Sequence, residues 1–415
     1  MRCLACVLLV ACSGGGTAGT GTVVYSHSIT GALHLKDLDT GEQRQLAGGP
    51  TGAVAITGDG EYVAFSRGDR IVRVSDRIGT ITELPLGGKG CAPTPVWGPN
   101  HSLSWCISEA GGSYTGFLPT IGATPRRLSA HRVVASADGS QIAYLALAQP
   151  GGPSPRGDLV VENADGSNRR VLRADVDAMV IDFLPDGQLL VQDHPTDFTY
   201  AIQRIDLASG STTDLGPGGV NGLATPWYQV SYSPDRSEVL TGSNHELLAL
   251  NIATGARRSL AQVPADGTIG SAAFIDRDRV VFTVHRDMSV SDIGMFRESI
   301  QLGDPGGQIT LVEEATTNSS CRVIAIARAA GYVASTCGGA TLATLDGQIL
   351  TKVQTPFDPL GLSADEGGVV VVLMDGTVSY LSRHGELIEL ARAVSVFEQS
   401  PGADTGLQPF AAYAP

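Results

Sequence analysis

The groups in this 415-residue chain that could do chemistry are seven cysteines, eight histidines and 42 carboxylates, and their spacing narrows what they can do. His27, His34, His101, His131, His194, His245, His285 and His384 lie far apart, and no two stand at metal-ligand spacing. Beyond Cys12 the chain has no CxxC pair. It also has no HExxH helix signature, phosphate-binding glycine loop, dinucleotide fingerprint or Gly-x-Ser-x-Gly elbow. The densest polar run, Asp193-His194 with Asp197, reads as a solvated hairpin tip. Asp59-Gly60-Glu61 has calcium-like chemistry, but hairpin geometry alone explains an Asp-Gly turn. General acid–base work needs groups in mutual reach, and the innermost runs supply only Asp182, Arg132, Arg328 and Glu398. No catalytic residue, metal site or cofactor is assigned on these grounds. The cysteines remain as the informative chemistry.

These groups sit on a repeating unit, which is clearest in Tyr228–Leu260. Tyr228–Tyr232 is a short extended run closed by Ser233-Pro234-Asp235-Arg236, where proline presets a turn and aspartate bonds back to the backbone. Glu238–Thr241, Glu246–Ile252 and Arg257–Leu260 follow, separated by Gly242-Ser243-Asn244 and Ala253-Thr254-Gly255. Short β-type runs with hairpin-length breaks form antiparallel meanders. The first turn recurs at Thr57–Gly60, Gly98–Asn100, Ala137–Gly139, Leu184–Gly187, Ile275–Asp278 and Ala364–Gly367. The last recurs at Asp39–Gly41, Ala164–Gly166, Ala208–Gly210, Asp346-Gly347 and His384-Gly385. A spacing of roughly 36 to 52 residues is the period of four-stranded propeller blades.

The expected fold is therefore an all-β propeller of four-stranded antiparallel blades, eight or nine in number. Full units fall at about 53–86, 93–129, 132–173, 178–216, 228–263, 270–315, 321–355 and 359–391. Thr22–Ala47 has three runs and no innermost one, whereas Val394–Asp404 reads as a lone innermost run with its turn. Pairing of the N- and C-terminal strands in one blade explains both facts and leaves no exposed edge. Nine exceeds the usual four to eight. The least regular third runs, Tyr114–Thr120 and Met295–Leu302, mark 93–129 and 270–315 as units that could fail to form blades. Gln149–Arg156 and Val284–Asp292 read as loops on the rim.

The repeat register also pairs the cysteines. Cys91 begins the first run of its unit and Cys106 ends the second, and Cys321 and Cys337 hold the same two places in another. Hairpin geometry makes Cys91–Cys106 and Cys321–Cys337 the natural bridges among three possible pairings. Each would close a loop of about 15 residues, contributing on the order of 3 kcal/mol in the chain-entropy model.

The start of the chain, MRCLACVLLVA, places Arg2 before an apolar run too short to span a bilayer, the layout of a secretion signal over residues 1–11. Leu9-Val10-Ala11-Cys12 resembles the lipobox of bacterial lipoproteins, in which the cysteine becomes the lipidated first residue. Residues 12–21 then form the lipidated Cys12 and a Gly-rich tether, and residues 22–415 one propeller domain. Such an anchor holds stably. The departure of Ser13 from the inner-membrane retention residue implies the outer membrane of a bacterial envelope.

The units, through Tyr232-Ser233-Pro234-Asp235 and Leu184-Pro185-Asp186-Gly187, resemble TolB-type and WD-like bacterial propeller repeats over about Thr22 to Asp404. A lipobox ahead of a propeller also resembles the propeller lipoprotein of the outer-membrane barrel-assembly machine. The tryptophan ladder of quinoprotein-type blades is missing, because Trp97, Trp105 and Trp227 are the only tryptophans. The net charge of −14 argues against nucleic acid. The expected function is a lipid-anchored scaffold that binds another envelope protein while itself a monomer. The alternatives are a binder of a sugar, peptide or cell-wall fragment in the central funnel and, less favoured, a lactonase- or lyase-type propeller enzyme.

Overall fold

The computed structural model of the chain describes residues 21–26, 32–49, 51–67, 71–86, 89–90, 95–109, 112–147, 156–196, 199–217, 231–243, 245–287, 296–304, 307–316, 321–328, 330–336, 339–355, 361–362, 367–373, 375, 377–392 and 411–414. The fold is all-β: nine antiparallel blades of a β-propeller, numbered here in chain order. The chain divides into two compact units, Met1–Glu83 with Ile324–Pro415, and Leu84–Val323.

In the first unit, blade 1 is built from Thr22–Ser26, Leu33–Asp37 and Gln43–Ala47, with Ala411–Ala414 completing its inner side. Thr22 faces Ala414 and Tyr25 faces Ala411 in an antiparallel register. Blade 2 comprises Thr51–Ile56, Tyr62–Arg67, Val72–Asp76 and Ile81–Glu83. Blade 8 comprises Arg322–Ala327, Tyr332–Thr336, Ala340–Thr344 and Ile349–Val353, and blade 9 Gly361–Leu362, Gly368–Val372, Thr377–Ser382 and Leu387–Arg392. The terminal strands therefore do pair, but the closing strand is Ala411–Ala414. Val394–Asp404, the expected closing run, lies outside the described residues. Its β-branched residues give Val394–Phe397 the stronger strand propensity, yet partner choice is decided by register and reach, which single-strand propensity does not report.

In the second unit, blade 3 has a split inner edge. Lys89–Gly90 and Val96–Trp97 both pair with Leu103–Glu109, and Gly112–Leu118 and Arg126–Leu128 follow outward. Trp105 lies across Gly116 of the neighbouring strand so closely that a Cβ there would meet its ring at 2.2 Å. Ala130–Ala135, Gln141–Leu147, Arg156–Asn163 and Arg170–Phe183 form blade 4. The 14-residue strand Arg170–Phe183 then serves as the inner strand of blade 5, beside Leu189–Thr196, Thr199–Ile205 and Thr212–Pro217. Blade 6 holds Glu238–Gly242, Glu246–Asn251 and Arg257–Gln262, with Tyr232 bridging to Val239 on the inner side. Blade 7 holds Gly267–Phe274, Val280–Asp287, Phe296–Asp304 and Gly307–Thr316. Both irregular units thus form blades of their own. Val284–Asp287, expected in a loop, extends the second strand of blade 7 because Phe282 and Val284 continue one buried face.

The second strands explain the cohesion. Val369 and Val371 of blade 9 pack with blade 8, while Val370 and Val372 pack with blade 1. Ile142 and Tyr144 of blade 4 likewise join blade 3, and Ala143 and Leu145 join blade 5. Successive side chains point to opposite faces, so a strand with a blade on each side must be apolar at every position.

Turns between the first two strands repeat one device. Ser136 and Ser233 donate to Asp138 and Asp235 two residues on, and each carboxylate accepts the backbone N–H of Ser140 or Ser237. Thr57 with Asp59 and Glu61 does the same, which engages the carboxylate of Asp59 in its own turn. These serine and backbone hydrogen bonds lower Asp138 and Asp235 to about 2. Cys106 and Cys321 are each disulfide-bonded, and Cys91 and Cys337 lie outside the described residues.

Removing residues 411–415 should bare the edge of Thr22–Ser26 and destabilise the chain by on the order of 2–4 kcal/mol, with a rise in aggregation. Thermal unfolding with light scattering checks this, and an unchanged midpoint contradicts it. A second prediction concerns acid. A depressed folded-state pKa gives stability that is present above the unfolded value of 3.8 and lost as pH falls toward about 2. Urea midpoints measured between pH 5 and pH 2 should decline mostly in that window, and less steeply in Asp138→Asn/Asp235→Asn.

Candidate functional site

The innermost strands hold one constellation of polar and aromatic groups. Asp182 stands near the end of Arg170–Phe183, and Tyr232 closes the inner run of blade 6. The Tyr232 hydroxyl donates to Asp182 Oδ2 at 2.8 Å, across the seam between blades 5 and 6. Burial first, and then the Asp182 carboxylate, push the Tyr232 phenol far above its ordinary range, so it remains a proton donor. The guanidinium of Arg236 lies 4.5 Å from the centre of the Tyr232 ring.

Arg236 occupies an unusual backbone site. Its φ is 57°, the left-handed region that Gly60, Gly139 and Gly187 fill at the corresponding turn position of blades 2, 4 and 5. A non-glycine residue there costs about 1 kcal/mol or more. The stack on Tyr232 offsets that cost. The other side of this inner run is held as well, since Ser231 Oγ accepts from the Phe274 N–H of blade 7 at 3.3 Å. The arrangement clamps three inner strands together. The Tyr232 phenol keeps its proton at neutral pH and donates a hydrogen bond to the Asp182 carboxylate.

The other sequence candidates are placed separately. Arg328 is exposed in the turn after Arg322–Ala327, Arg132 lies on Ala130–Ala135 with its side chain outside the described residues, and Glu398, Cys12, Cys91 and Cys337 lie outside them too. Asp193 is corrected. It is not a solvated hairpin tip but is buried, 3.0 Å from Arg173, because the second strand of blade 5 extends to Thr196. Glu162 is buried with Arg126 and the Tyr144 hydroxyl, and buried Glu238 receives Arg258. Outer-strand arginines also reach carbonyls just past the third strand of the next blade: Arg44 to Arg77, Arg126 to Ala164 and Arg170 to Leu207. Among the described residues, no group of three His, Cys, Asp or Glu side chains converges as metal ligands.

Sequence reading missed the Tyr232–Asp182 bond, although a signal existed. The two residues are 50 apart, about one blade period, and both precede a Pro-Asp turn.

No family model and no curated protein matches the sequence. Solved structures similar to the chain include TolB from Acinetobacter baumannii, at 16% identity over 63% of this chain and 68% of that chain, with a TM-score of 0.33. A putative TolB from Agrobacterium tumefaciens shares 15% identity over 72% and 90%, with a TM-score of 0.34. The dihydro-heme d1 dehydrogenase NirN in complex with DHE shares 15% over 91% and 73%, with a TM-score of 0.47. TolB proteins, whose repeats the Ser-Pro-Asp turns resemble, are thus among them. The likeness is one of fold.

Replacing Tyr232 by Phe leaves a half-buried carboxylate short of a donor and should cost about 1–3 kcal/mol. Arg236→Gly should change stability by less than about 1 kcal/mol, because relief of the backbone opposes loss of the stack. Urea denaturation of the two variants checks both. Equal losses would contradict the assignment of the Tyr232 hydroxyl as the clamp.

Proposed function

We propose that the protein is a lipid-anchored scaffold of a bacterial envelope, held by Cys12 and using its propeller surface to bind another envelope protein. The observation that carries this reading is where the acids and bases go. Glu162, Asp193, Glu238 and Asp182 are each engaged by an arginine or tyrosine within the fold. What remains for other molecules is a broad surface of turns and strand edges on a stiff frame, which suits protein recognition better than turnover. The lipobox-like Leu9–Cys12 and the Gly-rich residues 13–21 support attachment through a tether, with the outer membrane as the favoured location.

The disulfides Cys91–Cys106 and Cys321–Cys337 belong to the same reading, since they suit an exported chain.

Two measurements test the proposal. Cys12→Ala should move the protein from the membrane pellet to the soluble fraction, and a variant that still sediments with membranes contradicts the anchor. Mild-detergent affinity purification of the tagged protein from its own envelope should yield one near-stoichiometric partner that survives high salt. Recovery of the protein alone contradicts the scaffold.

A further inference from the structure

Ile78 breaks two local rules at once. It is a β-branched residue in the tight turn between the third and fourth strands of blade 2, where small and polar residues are favoured. It is also 75% exposed, more than any other large apolar side chain among the described residues. The same turn in other blades has a polar or small tip: Asp39 and Thr40, Asp165, Ala208 and Ser209, Ala253 and Thr254, Asp346, and His384. Ile121, in the longer turn of blade 3, is half-buried.

The turn that carries Ile78 is firmly held. Asp76 Oδ1 accepts the backbone N–H groups of Ile78 and Thr80, at 3.0 and 2.8 Å. Gly79 closes the turn onto the Asp76 carbonyl with a φ of 94°, a conformation that suits glycine. Arg77 turns back into the frame, pairing with Asp37 of blade 1 and, at 3.4 Å, with Glu61 of its own blade. Arg44 of blade 1 donates to the Arg77 carbonyl at 2.8 Å. The neighbours of Ile78 are thus tied down while its own side chain projects into solvent. An apolar group displayed on a fixed backbone loses little freedom on binding.

Its rim is acidic. Asp37, Asp39, Glu42 and Glu61 lie around the paired Arg44 and Arg77, and Glu42, Glu61 and Asp39 are exposed. We propose that the Ile78 tip is where the scaffold seats a partner protein, in an apolar pocket of that partner bordered by lysine or arginine. Burial of the isoleucine supplies attraction, and the carboxylates select a basic rim. They also disfavour a second copy of this chain, whose net charge is −14. The assignment rests on the scaffold reading and adds to it the surface used and the chemistry of the partner.

The test is site-specific photocrosslinking of the full chain in its own envelope. Benzoylphenylalanine is introduced in place of Thr82, exposed on the strand that follows the tip, or in place of Gln348, exposed beside the tip of blade 8. The Thr82 probe should give one discrete adduct, crosslinked to a partner segment at an apolar pocket with a lysine or arginine border. Ile78→Asn, which puts a turn-favoured residue at the tip, should leave the thermal midpoint unchanged or slightly raised. It should lower the adduct about tenfold or more, the equivalent of one isoleucine left unburied. Glu42→Lys should lower it several-fold. An adduct that Ile78→Asn leaves undiminished overturns the proposal, as does a fall in midpoint that makes Ile78 a structural residue. An adduct of twice the chain's mass overturns it in favour of a second copy. An adduct from the Gln348 probe alone overturns the surface and spares the scaffold, whereas no adduct from either probe contradicts both.

Discussion

A four-stranded sheet has two faces, and a blade this short cannot bury both by itself. Everything else in the structure follows from that constraint. Within one unit, apolar clusters join blade 8 to 9, 9 to 1 and 1 to 2; within the other, they join 3 to 4, 4 to 5, and 5 to 6 and 7. Val369–Val372 shows the consequence in four residues, since alternate valines serve opposite neighbours. At about 25 cal/mol per Å² of buried apolar surface, each such strand contributes several kcal/mol, more than any polar contact described here.

Polar groups then have to fit the seams that the apolar faces create. Buried carboxylates at Glu162, Asp193 and Glu238 each meet an arginine, as a charge removed from water requires. Arginines on outer strands take up carbonyls past the third strand of the next blade. Tyr232 and Asp182 do the same work at the inner strands. A side chain fixed in this way adds rigidity and orientation to the frame.

Much of the fold was legible in the sequence because turns carry their own chemistry. Ser233-Pro234-Asp235 and its relatives mark strand ends through a local serine–aspartate–backbone bond, and such bonds need no distant partner. The reading weakened wherever the answer depended on a partner strand. Ala411–Ala414 has no strong strand signal, yet it fills the position beside Thr22–Ser26. Asp193-His194 with Asp197 looks like a tip, yet Asp193 and His194 belong to the strand Leu189–Thr196, and Arg173 from the preceding strand meets the buried Asp193. Arg236 breaks the local preference for glycine at its turn, and only the ring of Tyr232 explains why. Conflicts of this kind between local rule and global structure concentrate at sites with a special role.

Hydrogen exchange measured by mass spectrometry on the intact chain tests the dependence on blade-to-blade burial most directly. The slowest amides should recur once per blade, in second strands such as Ile142–Leu145, Val239–Thr241, Val280–Val284, Tyr332–Ser335 and Val369–Val372. Turns and outer strands should exchange orders of magnitude faster. Protection confined to a few blades, with a neighbouring span of about 40 residues exchanging within seconds, would contradict it, because an isolated blade cannot remain folded beside an unfolded one.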